Sequence, residues 1–343
     1  LELHPRGTYR LEIAMDYGLK RMVLGSTDFI ELPKHEAEQL FSDKAHCLLG
    51  YILESKFDTV MQNYFEFEKC NLEISANRMI FGGHGYRELQ QQRMLLSRRF
   101  VNAVSSCRTY LDQIDHETSA ESPLPADTST KISKTRNEQY DRLLGYRAME
   151  AIRNWAIHRG DPITAMNGGY TRVETQHAIT GTAGVLSAFC VYPEIDVDEL
   201  KRRGGFKKSV LEELEEVAPP DRPGDPPGRI DARVLLREYI DGLNEVHKCL
   251  REICSDGLKE SEIRIQGAIK RFEQAYPNSK TIGLSVIERN PDKTVPRHEA
   301  LFTDVIELRH ELVRRNSCRT NIVKSFVTGS TLQSKYGYTI LHK

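Results

Sequence analysis

The sequence predicts a mainly α protein: a helical bundle, preceded by a small N-terminal β element and followed by a mostly helical α+β C-terminal region. Two patterns carry this prediction. From position 35 onward, apolar residues recur mostly at spacings of three and four, which indicates amphipathic helices. Strict alternation of apolar and polar residues is confined to short runs, which are typical of strands.

The chain divides into four predicted parts. Residues 1–34 form the β element and residues 35–180 the bundle. Residues 181–228 form a connecting region with a basic loop and a proline-rich linker, and residues 229–343 form a helical region of unknown role. Five prolines lie within 218–228, and proline-rich segments commonly separate domains.

Taken in order, the first elements are two strands and two helices. The strands are the alternating run 9–14 and a second run near Phe29. The apolar stripes within 37–52 and 57–65 predict the two helices, and an irregular stretch is expected over 71–85.

The second half of the bundle is predicted to hold two further helices and a flexible connection. A long helix covers 89–114, and residues 116–133 are rich in Ser, Thr and Pro, which favours a flexible segment. The last helix covers 135–158. Gly160 and Pro162 follow it, and a glycine followed by a proline commonly ends a helix.

Beyond the bundle the pattern is mixed. Residues 177–188 are expected to be helical or buried, and 282–287 to form a strand. Three further helices are predicted over 234–253, 260–276 and 299–315.

Composition limits the classes of function. The 343 residues include 48 Lys and Arg against 49 Asp and Glu, for a formal net charge of -1 at pH 7. A chain so balanced does not coat nucleic acid through bulk charge, so contact with RNA must be local. No window approaches the roughly 20 apolar residues of a membrane span, and no charged-then-apolar leader opens the chain. A cytoplasmic protein with no membrane partner is therefore expected.

The sequence predicts no cofactor and no metal. The seven cysteines are scattered and contain no Cys-x-x-Cys pair, which favours buried free thiols over disulfides or zinc. The phosphate-loop, dinucleotide, zinc-protease and serine-hydrolase motifs do not occur in the sequence.

One short string, residues 153–158, could carry chemistry. It places Arg153, Asn154 and His158 at the end of the predicted helix 135–158. Metal-free RNA cleavage needs a base for the 2′-hydroxyl proton, an acid for the departing 5′-oxygen and positive charge on the phosphorane. Histidine can be the base or the acid, and arginine can hold two phosphate oxygens. Asn154 and His158 share a helix face, whereas Arg153 is about 140° from His158.

Spacing alone does not single out this string. Chance predicts about three Arg–His pairs at similar spacing. The chain holds three, namely Arg78/His84, Arg153/His158 and Arg172/His177. What distinguishes the second pair is its context: an asparagine follows the arginine, and the pair ends an amphipathic helix of a bundle.

In that context, the string resembles the HEPN superfamily, whose helical bundles carry an Arg-polar-x-x-x-His element near the end of a late helix. The resemblance covers about 35–180 and implies a metal-independent endoribonuclease with Arg153, Asn154 and His158 as catalytic residues. It further implies a homodimer that joins two such elements in one cleft and leaves a 2′,3′-cyclic phosphate. Toxins and abortive-infection effectors of anti-phage defence belong to this family, so a neutralising or activating protein partner is possible.

Four arginines are candidate substrate-binding residues for RNA: Arg93, Arg98, Arg99 and Arg159. A solvated helix face is the alternative for the first three, and the basic loop 201–208 is interpreted as solvated surface. Arg153 could instead pair with Glu150 or cap the helix, and His158 could serve only the helix dipole. The chain would then be a non-catalytic sensor or scaffold, or an RNA-binding subunit of a larger complex.

Overall fold

The computed structural model describes residues 15–82, 85–119, 123–177, 183–218, 228–317 and 338–340, with the backbone alone described in 169–189 and 338–340. The protein is mainly helical with antiparallel strands, which confirms the predicted fold class. The helices are α1 (Lys34–Phe81), α2 (Tyr86–Glu117), α3 (Thr128–Arg142), α4 (Leu144–Arg159), α5 (Val197–Arg203), α6 (Lys208–Val217), α7 (Ala232–Ala275) and α8 (Asp304–Asn316). The strands are β1 (Asp16–Arg21), β2 (Phe29–Leu32), β3 (Ala165–His177), β4 (Ala183–Asp196), β5 (Arg229–Asp231), β6 (Leu284–Arg289), β7 (Arg297–Ala300) and β8 (Tyr338–Ile340).

The chain forms two compact units, each made of separate stretches of sequence. The first unit comprises 1–56, 120–126 and 250–317, and the second comprises 57–119, 127–249 and 318–343. Helices α1 and α7 each contribute residues to both units. The four-part division expected from the sequence remains a prediction.

The first unit contains a four-stranded antiparallel sheet in the order β2-β1-β6-β7. The strands predicted near Phe29 and over 282–287 are confirmed as β2 and β6, whereas the run 9–14 lies outside the described residues. Leu19 and Val286 on one face of this sheet pack with Phe41 of α1 and Phe272 of α7 in a buried core. The N-terminal β element thus shares one sheet with two strands of the C-terminal region.

The second unit holds α2 to α6, the remaining parts of α1 and α7, and the sheet β5-β4-β3-β8. Its core includes Phe100 of α2 and Trp155 of α4, both fully buried. Arg237 of α7 holds Glu68 of α1 through two hydrogen bonds of 2.6 and 2.8 Å. A buried, two-pronged ion pair of this kind fixes the register of α7 on α1 within this unit.

Helix α1 is longer than the sequence pattern predicts. The two helices expected over 37–52 and 57–65 are parts of one helix, and the irregular stretch expected over 71–85 is wrong as far as Phe81. The helix ends at Gly82, whose φ of 80° lies in the left-handed region that favours glycine. No glycine or proline precedes it after Gly50, so nothing in the sequence breaks the helix earlier.

The connection and the last bundle helix also differ from prediction. Helix α2 extends to Glu117, and α3 begins at Thr128, inside the segment expected to be flexible. The single helix expected over 135–158 is interrupted at Leu143, where φ and ψ are -112° and 118°. Residues on either side remain helical, so α4 begins as a separate helix.

Of the two alternatives expected over 177–188, helical or buried, the helical one is wrong for the described residues. Strands β3 and β4 pair in antiparallel register from Ala165 opposite Glu194 to Gln176 opposite Ala183. Likewise, the helices expected over 234–253 and 260–276 are one helix, α7, and α8 begins at Asp304 because residues 297–300 form β7. Within the described ranges, no helix combines the length and the apolar character needed to span a membrane.

Candidate functional site

The string 153–158 lies in the last turns of α4, as the sequence predicts. The helix runs without interruption to Arg159 and ends at Gly160, whose φ of 139° lies outside the helical region. The side chain of His158 is exposed, whereas Trp155 is buried with 2% of its surface accessible. His158 is therefore accessible to a substrate, and it is not a packing residue.

The side chain of Arg153 is directed toward Asn154. Its Nη1 donates a hydrogen bond of 3.0 Å to Oδ1 of Asn154, and its Nε is buried without a hydrogen-bond partner. In an ideal helix, Asn154 lies about 40° and Arg153 about 140° from His158. The hydrogen bond thus brings the guanidinium around the helix toward the side that carries His158, while the helix remains regular.

Arg153 could instead have paired with Glu150 or capped the end of α4, but other arginines make these contacts. Glu150 accepts hydrogen bonds from Arg108, at 3.3 Å, and from the hydroxyl of Tyr239. Burial, with the nearby Cys107 and Glu150, raises the pKa of Tyr239 well above its ordinary value, so this hydroxyl stays protonated as a donor. At the end of α4, the carbonyl oxygen of Arg159 accepts a hydrogen bond from Arg203 at 3.5 Å.

The side of α4 that carries His158 faces α6. Arg147 of α4 forms an ion pair with Glu213 of α6. Asn154 and His158 follow Arg147 by seven and eleven residues, which places all three within about 20° of one direction around the helix. Because the basic loop 201–208 leads directly into α6, it lies on the same side.

The basic loop contacts the end of α4 at two further points. A Cβ built on Gly205 would lie 3.0 Å from Nε of Arg159, and one built on Gly160 would lie 3.3 Å from Nη1 of Arg203. Lys207 donates a hydrogen bond of 2.6 Å to the hydroxyl of Tyr140 and lies 5.2 Å from the centre of its ring. Arg159 and Arg203 thus lie together at the end of α4, and Lys207 lies against α3.

Arg93, predicted to bind substrate, is engaged in holding the segment after α4. Its Nη1 lies 3.0 Å from Oδ2 of Asp161 and also donates to the carbonyl of Ile163. Asp161 accepts two more hydrogen bonds, from Ser97 and from the backbone N–H of Ile163. A phosphate could bind Arg93 only by competing with this carboxylate.

The other predicted arginines differ in what they contact. Arg99 forms an ion pair of 3.5 Å with Glu66, and both side chains are about two-fifths exposed. Arg98 is exposed, and no ion pair or hydrogen bond of its side chain involves another described residue. Arg159 is also exposed and forms no ion pair with another described residue. Arg98 and Arg159 are thus the two predicted substrate arginines without an acidic partner among the described residues.

Sequence reasoning missed two features of this site. It treated the basic loop as solvated surface, although Gly205 and Lys207 of that loop contact α4 and α3, respectively. It also did not identify Ile157 as an exposed apolar residue of the string, with 56% of its side chain accessible. The charge run was visible in the sequence, but its contact with Arg159 and Gly160, more than 40 residues earlier, was not.

The described residues contain no group of three or more His, Cys, Asp or Glu side chains placed to hold a metal ion. Comparison of the chain with models of protein families, with curated proteins and with solved structures gives no match.

Proposed function

We propose that this protein is a metal-independent endoribonuclease of the HEPN type. The observation that carries the proposal is the hydrogen bond from Arg153 to Asn154, which directs a guanidinium toward the side of α4 with the exposed His158. Positive charge, an amide and an imidazole are the groups that this chemistry needs.

In the proposed reaction, the 2′-oxygen of a ribose attacks the adjacent phosphorus while the bond to the 5′-oxygen breaks. His158 accepts the proton of the 2′-hydroxyl or donates a proton to the 5′-oxygen. Arg153 stabilises the negative charge of the phosphorane, and Asn154 orients the guanidinium. The products are a 2′,3′-cyclic phosphate and a 5′-hydroxyl, so no water and no oxidant are consumed.

The second acid–base group would come from a second copy of the chain. A single string provides one histidine, and the reaction needs both a base and an acid. A homodimer that joins two α4 ends would supply both. The cellular context that we propose is a toxin or anti-phage defence system in the cytoplasm, with a neutralising or activating partner.

The test is cleavage of mixed-sequence RNA by the purified protein in EDTA, with products identified by mass spectrometry. We expect the parent to leave 2′,3′-cyclic phosphate ends, and His158→Ala and Arg153→Ala to lower the rate at least about 100-fold. Asn154→Ala should have a smaller effect, because it removes only the group that orients Arg153.

His116 provides a matched control, because it is also an exposed histidine in the last turn of a helix, α2. His116→Ala should cleave as the parent does. Cleavage that persists in both His158→Ala and Arg153→Ala would place the activity elsewhere and refute the proposal. Absence of cleavage by the parent, alone or with phage-infected cell extract, would also refute it.

A second candidate function, a non-catalytic sensor or scaffold, is favoured by one observation. Four large apolar side chains near the end of α1 and the start of α2 have exposed fractions between 51% and 78%. They are Met79, Ile80, Phe81 and Tyr86. Exposed apolar clusters of this kind often mark protein interfaces. If the parent is inactive but forms a stable complex that Phe81→Ser with Tyr86→Ser abolishes, this function is preferred.

A further inference from the structure

The basic loop carries cations that no described acid neutralises. Three of its five cationic side chains pair with acids of α5 or α6: Lys201 with Glu215, Arg203 with Glu199 and Lys208 with Glu212, at 2.7, 2.5 and 3.7 Å. Arg202 and Lys207 form no ion pair with a described residue, and neither does Arg159 beside them.

The loop backbone is shaped to hold the guanidinium of Arg159. Gly204 and Gly205 have φ values of 67° and 78°, which side chains other than glycine rarely adopt. At Gly205, a Cβ would approach Nε and Nη2 of Arg159 to 3.0 and 3.2 Å. The backbone conformation therefore favours glycine at position 205, and the absence of a Cβ there lets the guanidinium of Arg159 lie close to the loop.

We infer that the basic loop, with Arg159, binds backbone phosphates of single-stranded RNA that flank the bond to be cut. This inference rests on the proposed function, because it concerns the substrate of the same site. Cations that lack an acidic partner in the protein are available to the phosphates of a polyanion. The first turn of α6 adds no acidic residue, and its N-cap, Lys207, makes no side-chain cap.

Single-stranded rather than duplex RNA fits the proposed chemistry. In-line attack requires the 2′-oxygen to lie opposite the departing 5′-oxygen, and a stacked A-form strand holds them apart. An unpaired strand can turn out of the stack and present that geometry. The loop would hold the phosphates next to the turned nucleotide.

The test separates binding from cleavage. The probe is a fluorescent oligouridylate of about 20 nucleotides with 2′-O-methyl groups, which binds but cannot be attacked at the 2′-oxygen. We compare the parent with the triple variant Arg159→Gln, Arg202→Gln, Lys207→Gln over a range of salt concentrations. Loss of three phosphate contacts should weaken binding about tenfold at low salt and reduce the slope of log affinity against log salt by about 2.

Two control proteins make the result specific. The first carries Lys131→Gln, Lys134→Gln and Lys248→Gln, three exposed lysines of the same unit that pair with acids of their own or adjacent turn. It has the same charge as the triple variant and should bind as the parent does. The second, Arg159→Lys with Arg202→Lys, keeps the charge and should retain most of the salt dependence, which shows that folding is not the cause.

The outcomes distinguish the inference from the proposed function. If the triple variant binds like the lysine control, the inference is refuted, whether or not the parent cleaves RNA. If binding depends on the loop but the all-ribose oligonucleotide is not cleaved, the proposed function fails and the RNA-binding loop stands. Equal loop-dependent binding of a 2′-O-methyl duplex would overturn the choice of single strands.

Discussion

At the scale of single residues, the arrangement of Arg153 resolves a difficulty that the helix creates. Arg153 and His158 are five residues apart, which separates them by about 140° around an α-helix. Their side chains therefore leave the helix in different directions. The hydrogen bond to Asn154 redirects the long guanidinium side chain at no cost to the helix. The residue next to the arginine is therefore part of the proposed machinery as a positioning residue.

Residue-level predictions from the sequence were correct where they depended on local position. The end of α4 at Gly160 follows from the glycine and from the end of the helix pattern. The contacts of Arg93 with Asp161 and of Glu150 with Arg108 join residues 68 and 42 positions apart. No local pattern contains such pairings, because they depend on how helices pack.

The cysteines give a prediction at this scale. Burial raises the pKa of the Cys47 thiol to about 11 and that of Cys254 to about 12, so at pH 8 at most about one molecule in a thousand has the reactive thiolate at either position. Cys190 and Cys249 are only half-buried. We expect iodoacetamide at pH 8 to label Cys190 and Cys249 before Cys47 and Cys254, as measured by peptide mass spectrometry.

Protein unfolded in urea is the control for that labelling, because all of its cysteines should then react at similar rates. Labelling of Cys47 in the folded protein as fast as that of Cys249 would contradict the burial of this thiol.

At the scale of elements, the start of α4 is set by a contact with α7. The backbone N–H of Gly145 donates a hydrogen bond of 2.7 Å to Oε2 of Glu238. A carboxylate at this position satisfies one of the free N–H groups of the first turn and interacts favourably with the helix dipole. This contact explains why α4 begins anew after Leu143, and with it the position of the proposed site.

Gly145→Ala should destabilise the protein by about 1–3 kcal/mol, because overpacking has that cost. A Cβ at this position would lie 2.4 Å from the carbonyl oxygen of Leu235 and 2.6 Å from Cβ of Glu238. Gly267 of α7 is the matched control, since a Cβ there would meet no atom within 4 Å. Gly267→Ala should stabilise by up to about 1 kcal/mol through helix propensity. The measurement is the melting temperature of both variants. Equal shifts of the melting temperature would refute the close contact at Gly145.

Sequence periodicity predicted which elements are helices better than where they end. Helix α1 continues through Asn71 to Phe81 because tertiary packing buries Ile74 there, which overrides the weak apolar pattern. The hairpin β3–β4 was missed because its apolar run, 183–191, lacks the alternation of a half-exposed strand. A run of that kind does not distinguish helix from strand.

At the scale of the whole molecule, α1 and α7 carry similar ion pairs in each unit. In the first unit, Arg264 holds Asp43 at 2.8 Å and Arg251 holds Glu54 at 2.6 Å. In the second unit, Arg237 holds Glu68 at 2.6 Å. The sequence shows only abundant, balanced charge. These pairings depend on how α1 and α7 pack within each unit, so the balanced charge of the sequence does not reveal them.

The polar interior of the first unit includes a histidine that favours its neutral form. Nδ1 of His46 lies 3.3 Å from Oγ of Ser261, and its Nε2 is buried without a hydrogen-bond partner. Burial lowers the pKa of His46; Asp43 opposes this effect, and Arg264 and Arg309 add to it. Gly257 allows the ring to fit, because a Cβ there would lie 2.7 Å from Cε1 of His46.

Stability should therefore fall as the pH falls through about 6.5, the ordinary pKa of histidine. Below that pH, the unfolded chain binds a proton at His46 that the folded chain does not, so protonation favours unfolding, by up to about 1.4 kcal/mol per pH unit. His46→Gln should reduce this dependence between pH 7.5 and 5.5 in urea unfolding. His298→Gln, a change at an exposed histidine of β7, is the control. Since other groups also titrate, the difference between the two variants is the test, and identical pH profiles would show that folding does not lower the pKa of His46.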